Sequence, residues 1–66
     1  MKKLESLKKI RKYRGLTQKE LAEKSGVSLP TIRNLEEGNG NVDNVKLSTL
    51  DKLARALKVK IFDLLK

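Results

Sequence analysis

Residues 17 to 38 read TQKELAEKSGVSLPTIRNLEEG, and the punctuation of this stretch decides the fold. Thr17 is placed to cap a helix, and Glu20, three residues on, completes a reciprocal capping box; Leu16 and Leu21 stand at the positions of a hydrophobic staple. Gly26 suits the left-handed residue that follows a helix end. Ser28 then caps a second helix, with Val27 and Ile32 as its staple and Pro30 on the first turn, where spare N–H groups tolerate proline. On this helix Ile32 and Leu35 point inward, whereas Leu29, Pro30, Arg33, Asn34 and Glu37 point outward, and Gly38 closes it. The spacing predicts helices over about 17–24 and 28–37, joined by a tight glycine turn. The outward apolar pair, Leu29 and Pro30, needs an explanation, because the inward stripe already supplies the core.

Upstream, Leu4, Leu7 and Ile10 recur every third residue and mark an amphipathic helix over about 3–14, ended by Gly15. Downstream, GNGNVDN (38–44) is loop by composition. Leu50, Leu53, Ala54 and Leu57 then repeat with helical period over about 47–58. Ser48 and Asp51 have capping-box spacing, while the pattern also allows Leu47 inside that helix, so its start is left open. The tail VKIFDLLK predicts a short helix over 61–65 that carries more apolar surface than a small core can hide. With no strand-like alternation and no linker, the expectation is an all-α, five-helix domain spanning 1–66.

Sixteen Lys/Arg against eight Asp/Glu give a net charge of +8. Lys2, Lys3, Lys8, Lys9, Arg11, Lys12 and Arg14 face only Glu5 within the first fourteen residues. Such a field attracts phosphate, in nucleic acid or on an anionic membrane. The chain has no cysteine and no histidine, which removes disulfides, thiolate or imidazole metal sites and the commonest nucleophiles and bases. Its carboxylates form no recognisable acid–base pair, and Asp43 among asparagines lacks the closing glutamate of a calcium loop. The expectation is therefore a protein that is not an enzyme, with no cofactor, no metal and no small-molecule substrate. No apolar run approaches the roughly 18 residues of a membrane span, so a soluble, intracellular chain is expected, with no membrane partner.

Two short helices joined by a glycine-containing turn form a helix-turn-helix. Ala22 lies where the helices would cross, and its small side chain permits close approach. Together with IRKYRGL upstream and LSTLDKLARALKV downstream, the stretch resembles the phage-repressor and Cro-like (Xre) helix-turn-helix family over roughly residues 7 to 65. That resemblance implies a compact lambda-repressor-like domain binding double-stranded DNA as a homodimer on a palindromic operator, as a transcriptional repressor. An antitoxin that binds a toxin protein and represses its own operon is the alternative on the same fold.

The resemblance also assigns roles. The third helix would lie in the major groove, with Leu29, Pro30, Arg33 and Asn34 against bases: apolar groups on thymine methyls, Asn34 on adenine and Arg33 on guanine or a phosphate. Gln18, Ser28, Thr31 and Lys46 would contact phosphates, with Gln18 also bracing the start of the third helix. Arg11 and Glu36 would form a structural ion pair joining the first and third helices. Phe62 and Leu65 are the candidates for a dimer contact around the fifth helix. Two departures from the family pattern stand out: residues 39–45 contain no Lys or Arg, and Lys60 replaces a frequent capping serine, which predicts a poorly defined fifth helix.

Overall fold

The computed structural model describes residues 4–38 and 46–65. The expected contribution of the 39–45 loop and of Lys2 and Lys3 falls outside these described residues. Five helices follow in order: α1 (Glu5–Tyr13), α2 (Gln18–Ser25), α3 (Leu29–Glu37), α4 (Leu47–Leu57) and α5 (Ile61–Leu65). The described residues contain no strand.

Each end of α2 follows from its local chemistry. The Glu20 N–H donates to Thr17 Oγ1 at 3.0 Å, and the Thr17 N–H donates to Glu20 Oε1 at 2.9 Å. The capping box is thus complete, and Leu16, packed on the core, sits at the staple position beside fully buried Leu21. Gly26 stops the helix at φ +77°, with its N–H bonded to the Ala22 carbonyl. A side chain would be strained at that φ, so glycine sets the tight turn.

Leu4, Leu7, Leu21, Val27, Ile32, Leu35, Leu50, Leu53, Ala54, Leu57 and Leu64 form one buried cluster drawn from all five helices. α2 lies against both α3 and α4, while α1 packs on α3 and α5, and α5 also touches α4. Ala22 is half-buried against this cluster. The Leu4 N–H donates to the Leu35 carbonyl at 2.8 Å, so the start of α1 is stitched to the end of α3.

The start of α4, left open by the sequence, is resolved, and the expectation for α5 is corrected. Ser48 does not cap α4: Leu47 is already helical, Lys46 is the cap residue, and no side chain caps the end. Asp51 is drawn instead to Arg55, one turn on, at 2.9 Å. α5 is well formed without a capping serine, because the Asp63 carboxylate accepts the Lys60 N–H at 3.0 Å. Within α5, Leu64 closes the core, whereas Phe62 is 67% exposed and therefore plays no core role.

Candidate nucleic-acid interface

The Ser28 cap holds the first turn of α3. Its hydroxyl lies 2.7 Å from the Thr31 hydroxyl and accepts the Thr31 N–H at 3.4 Å. Both hydroxyls expected on phosphates are therefore already engaged with each other. Ile32 and Leu35 anchor the helix in the core, and that anchoring turns Pro30, Arg33 and Asn34 to solvent. Leu29 is half-buried beside them. The result is one outward face on a helix fixed by its opposite side, with an apolar start, a guanidinium and a carboxamide.

Behind this face lies a buried polar knot. Arg11 donates from Nε to Glu36 Oε2 at 2.7 Å and from Nη2 to Glu36 Oε1 at 3.0 Å. Its Nη1 donates to the Leu16 carbonyl at 2.7 Å, just before the α2 cap. Gln18 joins from the first turn of α2, donating from Nε2 to Glu36 Oε1 at 3.1 Å. Gln18 thus braces the last turn of α3 rather than its start. The carboxylate is the reason: Glu36 is buried and needs donors, while the start of α3 is satisfied by Ser28. Among the described residues, no buried side-chain nitrogen or oxygen lacks a hydrogen-bond partner.

The remaining expected residues are dispersed. Lys46 is exposed at the start of α4, and Phe62 and Leu65 are exposed on α5. One contact escaped the sequence reading: Arg14 Nε donates to the Leu57 carbonyl at 2.9 Å, tying the end of α1 to the end of α4. Its position four residues after Ile10 and seven after Leu7, on the inward stripe, was the available signal. Among the described residues, no cluster of three or more potential metal ligands occurs, and no helix is long and apolar enough to cross a membrane.

A helix-turn-helix family model matches residues 7–64. The chain belongs to that helix-turn-helix family. It is 38% identical over 56 residues to Antitoxin HipB of Escherichia coli O6:H1, covering 85% of this chain and 56% of that protein. It is 37% identical over 65 residues to the HTH-type transcriptional regulator DdrOP3 of Deinococcus deserti, covering 98% of this chain and 48% of the relative. The chain spans about half the length of these curated relatives. Among solved structures, the restriction-modification controller protein C.AhdI from Aeromonas hydrophila superposes with a TM-score of 0.80 at 33% identity, over 91% of this chain and 86% of that one. The helix-turn-helix formed by α2 and α3 is therefore a family feature of this chain, embedded in a five-helix fold.

Proposed function

We propose that this helix-turn-helix chain is a sequence-specific double-stranded DNA-binding regulator, acting as a homodimeric repressor and not as an enzyme. The observation that carries the reading is the outward face of α3. Its core side is locked by Ile32 and Leu35, and its far side offers Pro30, Arg33 and Asn34 in the open. Inserted in a major groove, Asn34 would pair with adenine, Arg33 with guanine or a phosphate, and Leu29 and Pro30 would meet thymine methyl groups. On this reading Pro30 and the exposed part of Leu29 face DNA rather than water.

Phosphate contacts would set the register. Gln18 spends one amide hydrogen on Glu36 and keeps the second for a phosphate oxygen. Lys46 would reach a phosphate from the start of α4. The Ser28–Thr31 hydroxyl pair uses one of its two O–H hydrogens internally, so whichever hydroxyl accepts in that bond would donate its own hydrogen to a phosphate. Phe62 and Leu65 would meet their counterparts in a second copy, setting two α3 helices about 34 Å apart, one DNA turn. Such a regulator belongs in the cytoplasm, on the nucleoid.

Selection of random duplexes by the purified chain, followed by footprinting of the enriched sequence, tests this reading. A two-fold symmetric site protected over two adjacent major grooves is the expected result; no enriched sequence would reject it. The similarity to Antitoxin HipB favours a second reading, in which the chain also binds a toxin protein. Stoichiometric co-purification of a second small protein from the native host would support that.

A further inference from the structure

The helix-turn-helix itself is a poor match for a polyanion. Residues 17–38 carry three cations, Lys19, Lys24 and Arg33, against four carboxylates, Glu20, Glu23, Glu36 and Glu37. The following stretch, 39–45, adds only Asp43. The positive excess lies on the flanks: seven cations against one carboxylate within residues 1–16, and six against two within 46–66. Most of the cations available to DNA phosphates therefore lie on the flanks, and the two flanks are placed differently.

α1 runs beside the polar knot that joins α2 to α3. Lys8 precedes Arg11 by three residues and Lys12 by four, so it neighbours both on the helix surface. Arg11 is bonded to Glu36 and to Leu16, and Gln18 shares the same carboxylate. Lys8 lines one surface pocket together with Glu5, Lys9 and that same Glu36. Lys8 and Lys12, both exposed, thus form a cationic edge on α1 beside Arg11, whose guanidinium reaches the Leu16 carbonyl and, through Glu36, Gln18 at the first turn of α2. The α4 cations Lys52 and Arg55 ride on a helix that packs on α2 and α5, and Arg55 is paired with Asp51.

We propose that Lys8 and Lys12 bind the DNA backbone directly, as the main phosphate anchor of this chain, replacing the cations that its α3–α4 segment lacks. The inference rests on the DNA-binding reading and specifies which flank grips the phosphates. It differs from simple long-range attraction, in which any lysine of the same charge would serve equally.

The test compares two double variants of the full chain on the selected duplex: Lys8→Gln with Lys12→Gln, and Lys52→Gln with Lys60→Gln. Both remove the same charge from exposed positions, so melting temperatures should match the parent. For the α1 pair, the slope of log K against log salt should become shallower by about 1.8 per protomer, from about 0.9 per phosphate contact. For the α4–α5 pair it should stay at the parental value. Equal shifts in both variants, or no shift in either, would overturn the proposal. So would α1 lysines that matter only for binding to phosphatidylserine–phosphatidylcholine vesicles. A parent with no preferred duplex overturns the DNA reading and this inference with it. A parent that binds a preferred duplex with a slope indifferent to Lys8 and Lys12 overturns this inference alone.

Discussion

Arg11 reaches across from α1 to grip Glu36 on α3 with two parallel hydrogen bonds, of 2.7 and 3.0 Å, and both residues are buried. The third nitrogen of the same guanidinium holds the Leu16 carbonyl. One side chain thus fixes α1, the approach to α2 and the end of α3 together. Removing it would leave Glu36 in the interior with Gln18 as its one remaining donor among the described residues, a situation that costs about 3–5 kcal/mol. Arg11→Ala should therefore lose most of the stability of so small a domain, read as a lowered urea midpoint. Arg11→Lys should recover little of it, because one ammonium cannot span three acceptors in fixed planar geometry. A variant as stable as the parent that fails only to bind DNA would make Arg11 a contact residue instead.

α4 ends on Lys58, a side-chain-bearing residue at φ +59°. The left-handed conformation costs an L-residue roughly 1–2 kcal/mol that glycine avoids. Lys58→Gly should accordingly stabilise the fold, offset in part by the greater freedom of glycine in the unfolded chain. A net gain of about 1 kcal/mol would raise Tm by roughly 4–8 °C at this size. A calorimetric scan showing a lower Tm would mean that the Lys58 side chain contributes more than its backbone strain removes.

The α2 capping box carries a pH signature. The Glu20 carboxylate is held below its ordinary value, first by the backbone N–H of Thr17 and then by the Thr17 side chain. Folded Glu20 thus gives up its proton more readily than the unfolded chain does. Its stabilising effect is complete at neutral pH and fades as acid protonates it, below about pH 4.5. The stability gap between the parent and Glu20→Ala should be constant from pH 7 to 5.5 and narrow in more acidic solution. A gap unchanged at pH 3 would place the effect in helix propensity rather than in the carboxylate.

The α2–turn–α3 unit was legible because its signals are local: Thr17 with Glu20, Gly26, Ser28 and Gly38 all act within a few residues of one another. The start of α4 was not, because Ser48 and Asp51 stand at capping distance while Asp51 stands equally at one helical turn from Arg55, and the latter pairing prevails. The Gln18–Glu36 bond joins residues eighteen apart, so no periodicity announces which end of α3 is braced. In α5, five residues make too short a pattern to tell core from surface, and only packing distinguishes buried Leu64 from exposed Phe62. The outward face of α3, by contrast, followed from the two inward positions, Ile32 and Leu35, that anchor it.

Phe62 and Leu65 expose 67% and 44% of their surface, three residues apart on one side of α5. Because Leu64 rather than either of them fills the core, charge placed there should leave the protomer folded. Phe62→Glu combined with Leu65→Lys should therefore shift sedimentation to the monomer with an unchanged far-UV spectrum. Affinity for the palindromic duplex should fall while that for an isolated half-site holds. A dimer that persists in this variant would move the contact away from α5.

Asn34 and Lys46 are both exposed, but the proposed roles differ in kind. A carboxamide paired with adenine discriminates bases by about 1–3 kcal/mol, whereas a lysine on a phosphate is blind to sequence. Asn34→Ala should flatten the preference at one base pair of each half-site and leave the salt slope alone. Lys46→Ala should weaken every duplex alike and make the slope shallower by about 0.9 per protomer. Neither substitution touches the core, so both variants should melt with the parent. Competition binding against duplexes altered one base pair at a time separates the two: a uniform loss for Asn34→Ala would remove it from the bases and put it on the backbone.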